Sequence, residues 1–297
     1  MRVEVTDVSP RDGLQNERVL LPTATKLELI ERLVGAGVRR LEATSFVDAR
    51  RVPAMADAEA VMAGVRRAPG VSYVGLVLNL RGLERAIAAG CEEVNMAVVC
   101  TDGFARRNQG RSSAETVATF GEVAAAARRA GLGVSAVLSV AFGCPFEGEV
   151  PVSRVAEVAA TVAAHAPDRL SLADTIGVAS PADVRERLGA VREAVPEGVL
   201  LGAHFHNTRG TGLANVSAAL EEGVGVFDAC VGGIGGCPFA PNATGNISTE
   251  DLVYMLERMG VDTGLDLEAL AATAGWLATH LGPLPGLYPR AGPFPPR

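Results

Sequence analysis

The chain has 297 residues, 48% of them hydrophobic and 21% charged, and a formal net charge of −7. This is enough apolar material for one large core, its acidic balance excludes nucleic acid as the main partner, and no run approaches the ~18 consecutive apolar residues of a membrane span. With a strand starting at once and no leader pattern, we expect no signal peptide and no membrane, and a soluble, cytoplasmic protein. The five cysteines, Cys91, Cys100, Cys144, Cys230 and Cys237, are odd in number and lack CxxC spacing, as free thiols in a reducing compartment should.

In chain order, short apolar strands alternate with longer amphipathic stretches. A strand at Val3 to Thr6 precedes a helix at Ala24 to Gly35, and Val38 to Ala43 precedes Met55 to Arg66. Tyr73 to Leu78 precedes Leu83 to Ala89, and Glu93 to Val98 and Gly133 to Val140 flank the helix Ala114 to Ala130. Val152 to His165, Pro181 to Ala194 and Gly212 to Glu222 are helices that alternate with strands at Arg169 to Ala173, Val199 to His204 and Val226 to Val231. Several helices open on proline, serine or threonine and close on glycine. Two further helices, Asp251 to Met259 and Leu267 to Leu281, precede a proline-rich tail. Eight strand–helix units predict an α/β fold, a (β/α)8 TIM barrel. We read 1–297 as a single domain, with roughly 232–297 forming a glycine-rich active-site loop after strand 8, extra C-terminal helices and the tail. A doubly wound open sheet is the alternative, but its dinucleotide fingerprint is missing after the first strand. The glycine-rich loop around Cys237 has no helix following at the required offset, which argues against NAD or FAD.

Barrel chemistry gathers where the strands end. The first strand runs into Arg11 and Asp12, the second carries Glu42, the sixth ends at Asp174, and the loop after the eighth holds Cys237 and Asn246. His204 and His206 stand two apart at the end of the seventh, so both imidazoles point to one side. They read as half of a metal site or as a hydrogen-bonded structural pair. Two imidazoles with a carboxylate and an amide oxygen favour six-coordinate Mg²⁺ or Mn²⁺, with Zn²⁺ possible. His165 and His280 fall late in helices, where the macrodipole suits a cation.

The segments Ser9-Pro-Arg-Asp-Gly-Leu-Gln-Asn-Glu17, Glu42-Ala-Thr-Ser-Phe-Val47, Ala173-Asp-Thr-Ile-Gly177, Gly232-Gly-Ile-Gly-Gly-Cys-Pro-Phe-Ala240 and Ala243-Thr-Gly-Asn-Ile-Ser-Thr-Glu-Asp-Leu-Val-Tyr-Met-Leu256 resemble the 3-hydroxy-3-methylglutaryl-CoA lyase family. The likeness runs in order from about residue 2 to 260. It implies cleavage of a tertiary 3-hydroxyacyl-CoA to acetyl-CoA and a ketone-bearing acid, acetoacetate for the family's own substrate, in leucine breakdown, by a homodimer. It also implies Asp12, His204, His206 and Asn246 as metal ligands, Arg11 as donor to the developing enolate oxygen, and Glu42 as the group orienting Arg11. Cys237 would be a general acid/base, and Asp174 a base or a partner orienting a metal ligand. For the phosphates of coenzyme A the candidates are Arg18, Arg50, Arg51, Arg106 and Arg107, with Asn108 near the substrate. Asn207-Thr208-Arg209 stands where the family often has aspartate and tyrosine, so the acyl pocket is expected to differ. The same chemistry on another 3-hydroxy-3-alkylacyl-CoA, or a related condensing synthase, are the other readings.

Overall fold

The computed structural model describes residues 2–236 and 245–294. Its strands, in chain order, are β1 (Glu4–Asp7), β2 (Arg40–Ser45), β3 (Ser72–Val77), β4 (Glu93–Val99), β5 (Gly133–Ser139), β6 (Gly143–Cys144), β7 (Gly148–Glu149), β8 (Arg169–Asp174), β9 (Leu201–Phe205) and β10 (Val226–Ala229). All but β6 and β7 run parallel and close into an eight-stranded barrel, with β10 returning beside β1. Parallel neighbours need long crossovers, and helices supply them.

These helices are α1 (Thr23–Gly35), α2 (Ala58–Gly64), α3 (Leu80–Ala88), α4 (Asp102–Gln109), α5 (Ser113–Arg129), α6 (Val152–Ala163), α7 (Pro181–Ala194) and α8 (Gly212–Glu221), followed by α9 (Thr249–Arg258), α10 (Leu267–Leu281) and α11 (Tyr288–Ala291). Local chemistry sets their starts: Ser112 with Glu115 and Ser180 with Asp183 form capping boxes, the second with Pro181 in the first turn. The longer crossover helices turn an apolar stripe to the sheet, as α1 does with the fully buried Leu29, Ile30 and Leu33. Apolar packing therefore lies mainly between sheet and helices.

Inside the barrel the filling is different. Barrels of this kind are usually packed with branched apolar side chains, but here the polar Thr6, Arg40, Glu42, Asn95, Ser135, Arg169, Ser171 and Asp228, with only Val8 and Val74 beside them, surround a void of about 10 Å³. Arg40 gives Nε to Glu93 at 3.0 Å, Nη1 to Thr6 at 2.9 Å and Nη2 to Ser135 at 3.2 Å. This buried cation has partners on three strands besides its own.

Three local expectations are corrected. The second helix is split into a short 3-10 turn, Pro53–Met55, and α2, because Pro53, with a non-helical Val52 before it, starts the turn separately. Between the predicted strand end at Val98 and the predicted helix start at Ala114, where no element was expected, lies α4, which ends at Gly110 in the left-handed conformation. The stretch after β5 contains the β6–β7 hairpin, and β5 stops at Ser139 because Val140 takes a positive φ of 54°. Among the described residues no helix is long and apolar enough to cross a membrane.

Candidate active site

The C-terminal mouth of the barrel opens into a cavity of about 950 Å³. Arg11, Asp12, His204, His206 and Asp228 line its floor, and Asn95, Ala97, Val137 and Ser139 its wall.

Asp12 sits on a π-helical turn, Ser9–Gly13, that follows β1 directly. Asp7 fixes this turn by accepting the Ser9 N–H at 2.9 Å and the Thr249 hydroxyl at 2.8 Å, while the Ser9 hydroxyl accepts the Val231 N–H at 2.7 Å. Glu250 accepts the Gly232 N–H with both oxygens, at 3.0 and 2.9 Å. Burial pushes both carboxyls up, Asp7 to about 6 and Glu250 to about 7. Asn246, far along the chain, is carried back to the floor because residues 245–248 pair with the ends of β9 and β10: Asn207 N–H to Gly245, Ile247 N–H to Phe205, and Cys230 N–H to Ile247. Gly235 allows this approach, for at φ 99° a Cβ there would stand 2.8 Å from the Asn246 amide nitrogen.

The ligating atoms of Asp12, His204 and His206 all lie within 4.8 Å of one another. Both imidazole Nε2 atoms stand 4.0 Å from Asp12 Oδ2 and 3.1 Å from each other. Two bare ring nitrogens repel at that separation, so the arrangement calls for a proton or a cation between them. Asn246 gives its amide N–H to Asp12 Oδ2 at 2.9 Å, while its Oδ1 and the Nδ1 of His206 are buried without a hydrogen-bond partner among the described residues. An orphaned acceptor such as Asn246 Oδ1 is costly unless something binds it. A hard or borderline divalent cation fits this set of carboxylate, imidazoles and amide oxygen.

The electrostatics agree. Burial opposes its charge, yet Arg11 and the two imidazoles hold Asp12 far below the usual carboxylate range. Burial likewise opposes protonation of His204, but its hydrogen bond to Asp228 and the charge of Asp12 leave it raised. His206 falls to about 4, through burial and then the neighbouring His204. Without an ion, one of the two rings thus favours a proton and the other does not.

Arg11 is itself buried and forked between two carboxylates, with Nε and Nη2 on Glu42 Oε2 and Nη1 at 2.6 Å from Asp12 Oδ1. Glu42 in turn accepts the Asn95 amide at 3.0 Å through Oε1. Burial is resisted here by Glu42 and Asp12, which keep Arg11 charged. Asp174 lies beside this floor but is not on the cavity wall. Its two oxygens each accept a backbone N–H at 2.9 Å, from Val178 and Ala179, so it shapes the loop after β8.

At the rim, Arg50, Arg51, Arg107 and Asn108 line the cavity as the sequence suggested, whereas Arg18 and Arg106 do not. Arg18 is exposed elsewhere, and Arg106 turns back to Asp102 at 3.3 Å. Arg81 and Arg111 join the rim without having been singled out. Cys237 lies outside the described residues. Asp228 and Asn95 were missed as well. Their one sequence signal was a polar residue at an inward position of an otherwise apolar strand, and only strand register reveals the partners, Asp228 lying opposite His204.

A model of the HMGL-like family matches residues 2–276. The chain is 45% identical to a mitochondrial hydroxymethylglutaryl-CoA lyase of Gallus gallus, with 94% of each chain covered. It is 44% identical to an (R)-citramalyl-CoA lyase of Chloroflexus aurantiacus, with 99% of this chain and 96% of that one covered. The solved structure of an HMG-CoA lyase from Acinetobacter baumannii, in complex with coenzyme A and 3-methylmalate, superposes with a TM-score of 0.95 at 38% identity, covering 100% of this chain and 97% of the other.

Proposed function

The chain belongs to the HMGL-like family, and on that premise we propose that it is a divalent-metal-dependent carbon–carbon lyase. Its substrate is 3-hydroxy-3-methylglutaryl-CoA, which it cleaves to acetyl-CoA and acetoacetate. The observation that carries this reading is the convergence of Asp12, His204 and His206 within 4.8 Å on the floor of a cavity with a cationic rim. Asn246 completes the ligand set. The bound Mg²⁺ or Mn²⁺ would act as Lewis acid and template for the substrate's hydroxyl and carbonyl oxygens.

The reaction breaks the C2–C3 bond. The 3-hydroxyl gives up its proton to a general base in the cavity and becomes the ketone, the bonding pair passes to C2 as a thioester enolate, and a proton delivered to C2 by an acid completes acetyl-CoA. Arg11, charged and held at the cavity floor, donates to the enolate oxygen, where a preorganised donor contributes roughly 3 kcal/mol. Glu42, itself oriented by Asn95, aims Arg11. Cys237 is our candidate for the acid that protonates C2. Arg50, Arg51, Arg81, Arg107 and Arg111 offer the phosphates of the nucleotide end a cationic rim, which Asn108 shares.

A second reading has a specific observation behind it. A relative named for (R)-citramalyl-CoA matches nearly the whole chain as well as the hydroxymethylglutaryl-CoA enzymes do. That thioester also carries a tertiary 3-hydroxyl and would release acetyl-CoA with pyruvate. A coupled assay for acetyl-CoA, run on both thioesters with Mg²⁺ or Mn²⁺ and again after chelation, separates the readings. Metal-dependent release of acetoacetate supports the first, release of pyruvate alone supports the second, and no cleavage of either by folded, metal-loaded protein rejects both.

A further inference from the structure

Asp228 is the acidic residue of the cavity floor for which the reaction above has no use. It is 7% exposed, and it sits in the middle of β10 with Thr6 of β1 opposite on one side and His204 of β9 on the other. A side chain clamped by two neighbouring strands of a closed sheet has little room to swing. Its carboxylate Oδ2 lies 3.2 Å from His204 Nδ1, and this is its only side-chain hydrogen bond among the described residues. The nearby cation does not claim it, because Arg40 spends its donors on Glu93, Thr6 and Ser135. On the far side of the same ring, Nε2 faces His206 and Asp12.

We propose that Asp228 is a positioning residue for the cation site: it accepts the Nδ1–H of His204 and so commits the ring to the tautomer whose Nε2 lone pair faces Asp12 and His206. The inference rests on the reading of that cluster as a divalent-cation site. The physical reason is that a neutral imidazole has one N–H and one lone pair, so whichever nitrogen hydrogen-bonds as donor leaves the other to ligate. A carboxylate can only accept, so it enforces one choice where an amide or a water would permit both. His206 has no such partner among the described residues, its Nδ1 making no hydrogen bond to them, so the two histidines are not equivalent: His204 is preset and His206 is free to adjust when the ion arrives.

The test uses the whole metal-free chain with ¹⁵N-labelled histidine, at a pH high enough for neutral rings, and Mn²⁺ as the probe. In the unsubstituted protein the His204 ring signals should be those of an Nδ1–H tautomer. Asp228→Asn keeps the shape but can present either a carbonyl or an NH₂ to the ring. It should yield a mixture of tautomers and weaken Mn²⁺ binding about 10- to 100-fold, with the melting temperature little changed. An Nε2–H ring in the unsubstituted protein overturns the proposal, as does an Asp228→Asn variant that binds Mn²⁺ within about twofold of it. If the variant does not fold, the tautomer of the unsubstituted protein still decides. Absence of Mn²⁺ binding by the unsubstituted protein would instead defeat the cation-site reading, whatever the tautomer.

Discussion

The two ends of the barrel interior are built from the same kinds of residue and treat them in opposite ways. Where the strands begin, Arg40, Glu93, Thr6 and Ser135 close a network in which each side chain has a partner. Where the strands end, His206 Nδ1 and Asn246 Oδ1 are buried with none among the described residues. A satisfied buried network holds strands in register, and an unsatisfied one keeps binding free energy in reserve for a ligand. The difference teaches that polarity inside this barrel has two causes, and that hydrogen-bond completeness tells them apart.

Substitutions at the two ends should therefore fail in different assays. Asp12→Asn is expected to lower metal-dependent turnover by ~10³-fold or more while leaving the melting temperature near that of the parent. Comparable turnover would dissolve the functional half of the contrast. At the closed end, Glu93→Gln strands a buried Arg40 and is expected to cost about 3–5 kcal/mol in a urea titration, with turnover per folded molecule unchanged. Loss of turnover without loss of stability there would mean that the two ends are not separable.

Arg11→Lys sharpens the contrast within the open end. The lysine keeps the charge but cannot fork between Glu42 and Asp12, so kcat should fall roughly 10²-fold while Mn²⁺ affinity stays close to normal. A pH series probes the turns beneath. Glu250 titrates near 7 in the folded chain, above the ordinary carboxylate value. Its contribution is thus fully present at low pH and declines as pH rises through about 7. Relative to Glu250→Gln, the parent should lose on the order of 2 kcal/mol between pH ~5 and ~8. A difference that stays flat across that window, or grows with pH, would show that Glu250 is ionised when the chain folds.

The barrel was legible in the sequence because the alternation of short apolar runs with amphipathic helices is itself the fold's signature. What escaped lacked that signal. Helix α4 buries only Phe104 and Ala105 in its eight residues, too little for a periodicity, and the strands of the β6–β7 hairpin have two residues each. At the mouth, Asp12, His204, His206 and Asn246, which the fold brings together, could be singled out because they are read along the chain, as motifs. Asp228 and Asn95 were not, because their meaning lies across the sheet, in which strand is the neighbour and at what register. The rim shows the same limit. Arg18 and Arg81 both follow strands, yet only Arg81 lines the cavity, a matter of side-chain direction that spacing does not encode.

The smallest expected effect belongs to a paired replacement at the closed end. Removing both charges, as in Arg40→Met with Glu93→Leu, spares the cost of burying an ion pair and strands no charge, which is why such exchanges are often neutral. Here the exchange also takes partners from Thr6 and Ser135, each of which bonds to the pair. The two effects oppose, and the double variant should lie within about 1 kcal/mol of the parent, far above Glu93→Gln alone. Such a result would mean that the closed end is polar without needing to be, its completeness answering only the cost of burial. A double variant as damaged as the single one would mean instead that the Arg40 network aligns the strands, and through them the register that sets Asp228 against His204.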